Sequence, residues 1–236
     1  MLRLPRVPNL TEMAYLSVRK YLLDGSLTEG ERLTEESVAT RLGISKSPVR
    51  EALNRLETEG LIVISPRRGA FVRRFTLEET RDLYNVREVL ETYAVRVADV
   101  SPRLIDELEQ SIERTREHLR NGDKPGHVDE DVRFHSLLAA SSGNGELKAM
   151  LENVQHKSLL SRSKTFHLSA PATPAGHAKI LEALRRGDRT AAAEAMSEHI
   201  FFTRDALLTV MEQEGEEPTS TEPPEGQGEL SLAADA

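Results

Sequence analysis

Cysteine is absent from the 236 residues, so neither a disulfide framework nor a thiolate-held metal or cluster is open to this chain. Tryptophan is absent too, and aromatic residues make up only 4%. A core built on large rings is thereby excluded, and helices packed with Leu, Ala and Val are expected. No apolar run approaches the roughly 20 residues of a membrane-spanning helix. The N-terminus shows no apolar h-region of a signal peptide, and a cytoplasmic location is expected. What is present is charge, unevenly spread. The net charge is −8, yet residues 1–75 hold 13 Lys+Arg against 9 Asp+Glu. Residues 76–211 hold 18 against 22, and residues 212–236 hold none against 8. The length suits one or two domains with a real core. The local field of the basic segment, not the total, decides what that segment attracts.

The densest pattern lies at residues 31 to 74, ERLTEESVATRLGISKSPVREALNRLETEGLIVISPRRGAFVRR. It reads as helix, tight turn, second helix and a two-stranded wing. Gly43-Ile44 is the turn, because glycine takes a left-handed backbone at no steric cost. Ser45 stands where its hydroxyl can cap the second helix. Val49, Leu53 and Leu56 share one face of that helix. Lys46, Ser47 and Arg50 lie near its N-terminal end, the part of a recognition helix that enters the major groove of DNA. Gly60 ends the helix. Leu61 to Ile64 and Ala70 to Val72 form two apolar strands around the basic turn Ser65-Pro66-Arg67-Arg68-Gly69, which suits phosphate.

The run RLGISKSPVREALNRLETEGLI followed by PRRGAFV resembles the winged helix of the GntR family of bacterial transcription regulators, over about residues 10 to 74. The resemblance implies that Ser45, Lys46, Ser47 and Arg50 contact double-stranded DNA, with Arg68 and Gly69 in the wing. Two positions depart from the family's habit. Lys46 stands where arginine is more usual, and an ammonium is a point donor rather than a fork. Glu36 stands where many members carry an arginine facing the DNA backbone. One winged helix alone binds weakly, so a homodimer reading a palindromic operator is expected.

Residues 76–211 show almost no strand alternation and read as an all-α helical bundle. Thr76 caps a helix through about Val100 with an apolar stripe of Leu83, Val86, Leu90, Ala94 and Val97. Pro102 opens a second helix, and Asn121-Gly122-Asp123 with Pro125-Gly126 breaks it. Further helices are expected at about 128–140, 146–163, 176–186 and 189–211, with a loop around Pro171 and Pro174. The final stretch, residues 212–236, is rich in Glu, Pro and Gly and is expected to be a disordered acidic tail.

Three of these helices carry polar residues on their apolar sides. Asp131 and His135 share a face at i, i+4, beside Val128 and Leu138. His177 heads the stripe Ile180, Leu181, Leu184, and His199 lies on the stripe Ala195, Met196, Phe202, Ala206. An unpaired buried carboxylate is costly, and a divalent cation would satisfy all four groups. Imidazole with carboxylate suits Zn, Ni, Mn or Fe rather than Ca. A satisfied core histidine is the alternative for each residue taken singly. His118, His127, His156 and His167 read as surface or loop histidines.

The segments LYNVREVLETYAVRVAD, DVRFHSLLAASSGN and HAKILEALRRGDRTAAAEAMSEH resemble the FCD effector domain of the FadR-type GntR subgroup, over about residues 77 to 208. The resemblance implies a metal site of Asp131, His135, His177 and His199. It also implies that Arg87 points into an effector cavity as a counter-charge for a carboxylate, with Arg162 as a second candidate. An i, i+4 salt bridge to Glu91 is the other use open to Arg87. Gly176 precedes His177 where the family commonly has an acid. The expected function is a ligand-responsive regulator, a repressor released by a small organic acid bound at the metal. A direct metal-ion sensor is the alternative, and a metal-dependent hydrolase a distant one.

Overall fold

The computed structural model describes residues 9–161 and 165–214. Arg162 and all but the first residues of the expected acidic tail lie outside the described residues. The chain forms two compact units that divide between Arg74 and Phe75.

In the first unit, α1 (Leu10–Leu23) starts at Asn9, whose side chain accepts from the amides of Thr11 and Glu12. A two-residue strand β1 (Arg32–Leu33) leads into α2 (Glu35–Leu42), capped by the Thr34 hydroxyl on the amide of Ser37. Gly43 ends α2 at φ 65, and α3 (Lys46–Thr58) follows after a two-residue link. Ser45 occupies the cap position of α3 but makes no side-chain capping bond, contrary to the sequence expectation. The buried side of α3 is Val49, Ala52, Leu53 and Leu56, packed on Ala14, Tyr15 and Val18 of α1. Arg55 ties the two helices, bonding Glu12 at 2.7 Å and lying 3.5 Å over the Tyr15 ring.

The wing is an antiparallel hairpin of β2 (Ile62–Ser65) and β3 (Gly69–Val72), in the register Ser65↔Gly69. Gly69 has φ 102, and Arg67 takes φ 64, so the turn sits in left-handed backbone. β1 adds to the other edge of β3, giving the order β1-β3-β2. That third strand is too short to leave a periodicity in the sequence.

The second unit is a bundle. α4 (Leu77–Val97) begins with a complete capping box: Thr76 accepts from the Glu79 amide, and the Glu79 side chain accepts from the Thr76 amide. α5 (Pro102–Asn121) is capped by Ser101 and closed by Gly122 at φ 69. α6 (Lys124–Ser141), α7 (Gly145–Ser161), a short α8 (Phe166–Ser169) and a 3-10 turn (Ala170–Ala172) lead to α9 (Thr173–Arg185) and α10 (Arg189–Glu214). α10 packs on α4 and α9, and α5 packs on α6 and α9. The core includes Tyr84, Val95, Leu108, Phe134, Leu138, Ile180, Met196 and Ile200.

Four expectations need correction here. The inward stripe of α4 is Tyr84, Arg87, Glu91, Ala94 and Val95, while Val86 and Val97 are 49% and 42% exposed. Pro125 and Gly126 lie inside the first turn of α6 rather than in a break, since proline is tolerated where its missing N–H would have no helical partner. The stretch around Pro171 and Pro174 is helical, because each proline again falls in a first turn. On α10, Phe202 is 52% exposed rather than inward.

Candidate functional site

The bundle core contains a polar cluster where three helices, α6, α9 and α10, meet. α6 delivers Asp131 and His135 one turn apart, α9 delivers His177, and α10 delivers His199; all four are buried. One potential ligand atom from each lies within 4.8 Å of all the others. Donors about 2.1 Å from a shared cation stand roughly 3 to 3.5 Å from their neighbours. The cluster therefore needs only a modest contraction to become a coordination shell. His135 and His177 ring centroids are 5.1 Å apart, and those of His177 and His199 are 4.7 Å apart.

His177 carries the sharpest signal for a cation ligand. Both its ring nitrogens are buried without a hydrogen bond of acceptable geometry, although Nε2 lies 3.4 Å from Asp131 Oδ1. Its ring stacks on Phe134, centroids 3.8 Å apart and planes within 3°, so packing rather than bonding sets its orientation. Burial pushes its pKa down to about 4 and takes that of His199 well below the ordinary histidine value. Neutral imidazole is also the form in which a histidine can ligate a cation.

His135 is oriented differently. Its Nδ1 donates to Glu91 Oε2. The other carboxylate oxygen, Oε1, accepts from Arg87 Nε at 2.6 Å. Burial alone would raise the Glu91 pKa, but His135 and Arg87 beside it bring it down to about 2. With a proton on Nδ1, His135 turns its Nε2 lone pair toward the cluster. Arg87 Nη2 stands 3.2 Å from that Nε2. Arg87 thus makes the salt bridge to Glu91 and also borders the cluster. Sequence reasoning named Glu91 only as a salt-bridge partner; the i, i+4 spacing showed the pair but not its burial.

His199 marks the way out. It lines a groove of about 250 Å³ between α9 and α10, together with Gly176, Lys179, Ala195, Glu198 and Phe202. A Cβ on Gly176 would come within 2.6 Å of His199 Nδ1, so this helix position must lack a side chain for His199 to sit where it does. Of the other histidines, His127 is buried at 2% exposure, edge-on to Phe166, which corrects the expectation of a surface residue.

In the first unit, Ser45, Lys46, Ser47 and Arg50 are all exposed at one end of α3, and Arg68 is exposed in the wing turn before Gly69. Two of the cations have acidic neighbours from the first turn of α2. Arg50 holds both oxygens of Glu35, through Nε and Nη2, each at 2.7 Å. Lys46 lies 3.4 Å from Glu36. Sequence reasoning missed the Glu35 contact, because residues fifteen apart on two helices leave no periodic trace.

Comparison with known proteins places both halves. Residues 10–72 match the model for bacterial regulatory proteins of the gntR family, and residues 82–202 match the FCD domain. The uncharacterized HTH-type transcriptional regulator YdhC of Bacillus subtilis is 29% identical over 84% of this chain and 91% of its own. The HTH-type transcriptional repressor RspR of Escherichia coli is 25% identical over 86% of this chain and 91% of its own. Among solved structures, E. coli McbR/YncC superimposes with a TM-score of 0.77 at 22% identity, covering 89% of this chain and all of that one. A GntR transcriptional regulator from Rhodococcus sp. RHA1 gives 0.75 at 24% identity, covering 84% and 97%.

Proposed function

The chain belongs to the GntR family of bacterial transcriptional regulators and carries an FCD domain, and from this premise we propose that it is a metal-dependent sensor of a small carboxylate metabolite. It is a regulator rather than an enzyme, as its relatives are. The observation that carries the sensor reading is the buried quartet Asp131, His135, His177 and His199, with both His177 nitrogens lacking a hydrogen bond of acceptable geometry. Those residues would hold a divalent cation, Zn, Ni, Mn or Fe, by the chemistry of one carboxylate and three imidazoles. Such an ion supplies an electrophilic point to which a carboxylate can bind.

Arg87 is the proposed counter-charge. Its Nε is committed to Glu91, while its Nη2 faces the same His135 nitrogen that a cation would take. Once that lone pair is used, Nη2 is left to seek another acceptor, and an incoming carboxylate provides one. The groove beside His199 gives the ligand its access, with Lys179 and Glu198 paired at 3.5 Å on its rim. Arg162, the second candidate for the cavity, lies outside the described residues.

On the DNA side, Ser45, Lys46, Ser47, Arg50, Arg68 and Gly69 are the proposed contacts with double-stranded DNA. A homodimer on a palindrome is the proposed assembly. An exposed stripe of Val86, Val89, Tyr93 and Val97 on α4 supports it. Asp82 and Arg96, both exposed, stand seven residues either side of Val89. Two copies of α4 paired antiparallel about Val89 would therefore set each Asp82 against the partner's Arg96. The relative RspR is named a repressor, and release of DNA on ligand binding is the proposed sign of regulation.

The test is a thermal-shift titration of the metal-stripped full-length chain, first with Zn²⁺, Ni²⁺ and Mn²⁺, then with mono-, di-, hydroxy- and sugar acids on the loaded form, beside His177→Ala. A ligand at about 100 times its Kd adds ~2.7 kcal/mol to the state it binds. An acid that stabilises only the loaded wild type supports the sensor. Stabilisation by metal alone, with no acid adding to it and with DNA affinity following free metal, replaces it with a direct metal sensor. No response to any cation removes the metal site.

A further inference from the structure

The pairing of Arg50 with Glu35 bears on what this chain reads in DNA, and the inference rests on the reading of α3 as the recognition helix. A guanidinium has two edges that can each donate a parallel pair of hydrogen bonds: one made of Nε and one terminal nitrogen, the other made of both terminal nitrogens. Glu35 occupies the first edge, accepting from Nε and Nη2 at 2.7 Å each. The second edge, Nη1 with the remaining proton of Nη2, is left open, and the Arg50 side chain is 63% exposed. The carboxylate comes from the first turn of α2, which starts at the Thr34 cap and ends in the Gly43 turn leading to α3. Two short helices thus hold the guanidinium by its inner edge and leave its outer edge pointing away from the carboxylate.

We infer that Glu35 is a specificity-positioning residue: it presents the terminal edge of Arg50 for bidentate recognition of a guanine, so that each operator half-site carries a guanine read by Arg50. Guanine offers two acceptors on its major-groove edge, N7 and O6, spaced for such a fork. A free arginine must lose rotamer freedom when it docks, whereas one already clamped loses less, and the saving applies only to the base that fits the clamped pose. The neighbouring cation is a weaker reader. Lys46 is a single-point donor, held loosely by Glu36 at 3.4 Å with both side chains more than half exposed. It serves phosphate attraction rather than base choice. The division predicts that removing Glu35 costs discrimination more than affinity, since it removes a negative charge from the DNA face while freeing the arginine.

The experiment starts with selection of sites from random double-stranded DNA by the full-length wild-type chain. Binding of the selected site is then measured for wild type, Glu35→Gln and Arg50→Lys, with the recognised guanine intact, replaced by adenine, or replaced by 7-deazaguanine, which lacks the N7 acceptor. Wild type should lose about 10- to 100-fold on either replacement, the span of one good bidentate contact. Glu35→Gln should reduce that loss to within about threefold, while its affinity for random DNA stays equal or rises and its melting temperature changes little. Arg50→Lys should erase the preference altogether. If Glu35→Gln keeps the full preference and gains affinity for every sequence alike, Glu35 is only an electrostatic brake and the inference fails. If Arg50→Lys keeps the preference, the guanine is read elsewhere and the inference also fails. A wild type that selects no sequence at all would instead overturn the DNA-reading assignment itself.

Discussion

A single missing methyl group shapes the buried quartet of Asp131, His135, His177 and His199. Gly176 sits in the first turn of α9, where alanine would ordinarily be the better helix former by about 1 kcal/mol. Here a Cβ would stand 2.6 Å from His199 Nδ1. Gly176→Ala is therefore expected to leave the stability of the metal-free chain within about 1 kcal/mol, because the groove that His199 lines has room to absorb a ring displacement. The displaced ring should weaken zinc binding by about tenfold or more, the scale of losing ligand orientation. Competition against a zinc chelator checks both halves of the expectation. Sequence alone offered Gly176 only as the absence of an acid. What makes it matter is its neighbour twenty-three residues on, and no local pattern reports that contact.

Helix ends show most clearly what was and was not legible. Thr34 and Ser45 precede consecutive helices and carry the same capping chemistry in the sequence. The structure spends only the first: Thr34 accepts from the Ser37 amide at 3.0 Å, while Ser45 makes no cap bond. Thr34→Ala should cost about 1 kcal/mol of stability by urea unfolding, and Ser45→Ala less than about 0.5 kcal/mol. Ser45→Ala should instead lower affinity for the selected DNA site, measured by fluorescence anisotropy, because its exposed hydroxyl is at hand for phosphate. Interior elements were legible wherever hydropathy and burial agree. Val49, Leu53 and Leu56 face inward on α3, as their spacing requires. On α4 the two part company. Val86 and Val97 share the expected stripe but face solvent, and the inward face is displaced by one residue, about 100° around the axis. Arg87 and Glu91 bury each other's charge there, and a hydropathy pattern cannot foresee ions that neutralise one another. The prolines at 125, 171 and 174 misled for a related reason: each lies in a first helical turn, where it breaks nothing.

At the scale of the whole molecule, charge and assembly belong together. The basic excess is confined to the unit that ends at Arg74, and the bundle beyond it is net acidic. The proposed pairing stripe on α4 lies within the net-acidic bundle. Val89→Glu places a charge at the centre of the proposed pairing stripe, where Val89 is 62% exposed in the single chain. The folded bundle should tolerate it, with a shift in melting temperature of no more than a few degrees, because the site is at the surface. Light scattering should show monomers where wild type gives dimers, and affinity for a palindromic site should fall toward that of a half-site. Dimers that persist unchanged would move the interface away from α4.

One helix, α4, serves two masters. Its inward face carries Arg87 and Glu91, which orient His135, and its outer face, about 160° around the axis from them, carries Val89. Under the proposed function, selection on ligand preference at one face and on partner geometry at the other works on the same helix. Ligand range should diversify among relatives through the groove-lining positions of α9 and α10, leaving α4 comparatively constant. The same asymmetry guides redesign: a library aimed at the proposed ligand preference belongs at Lys179, Ala195, Glu198 and Phe202, where α4 is left untouched.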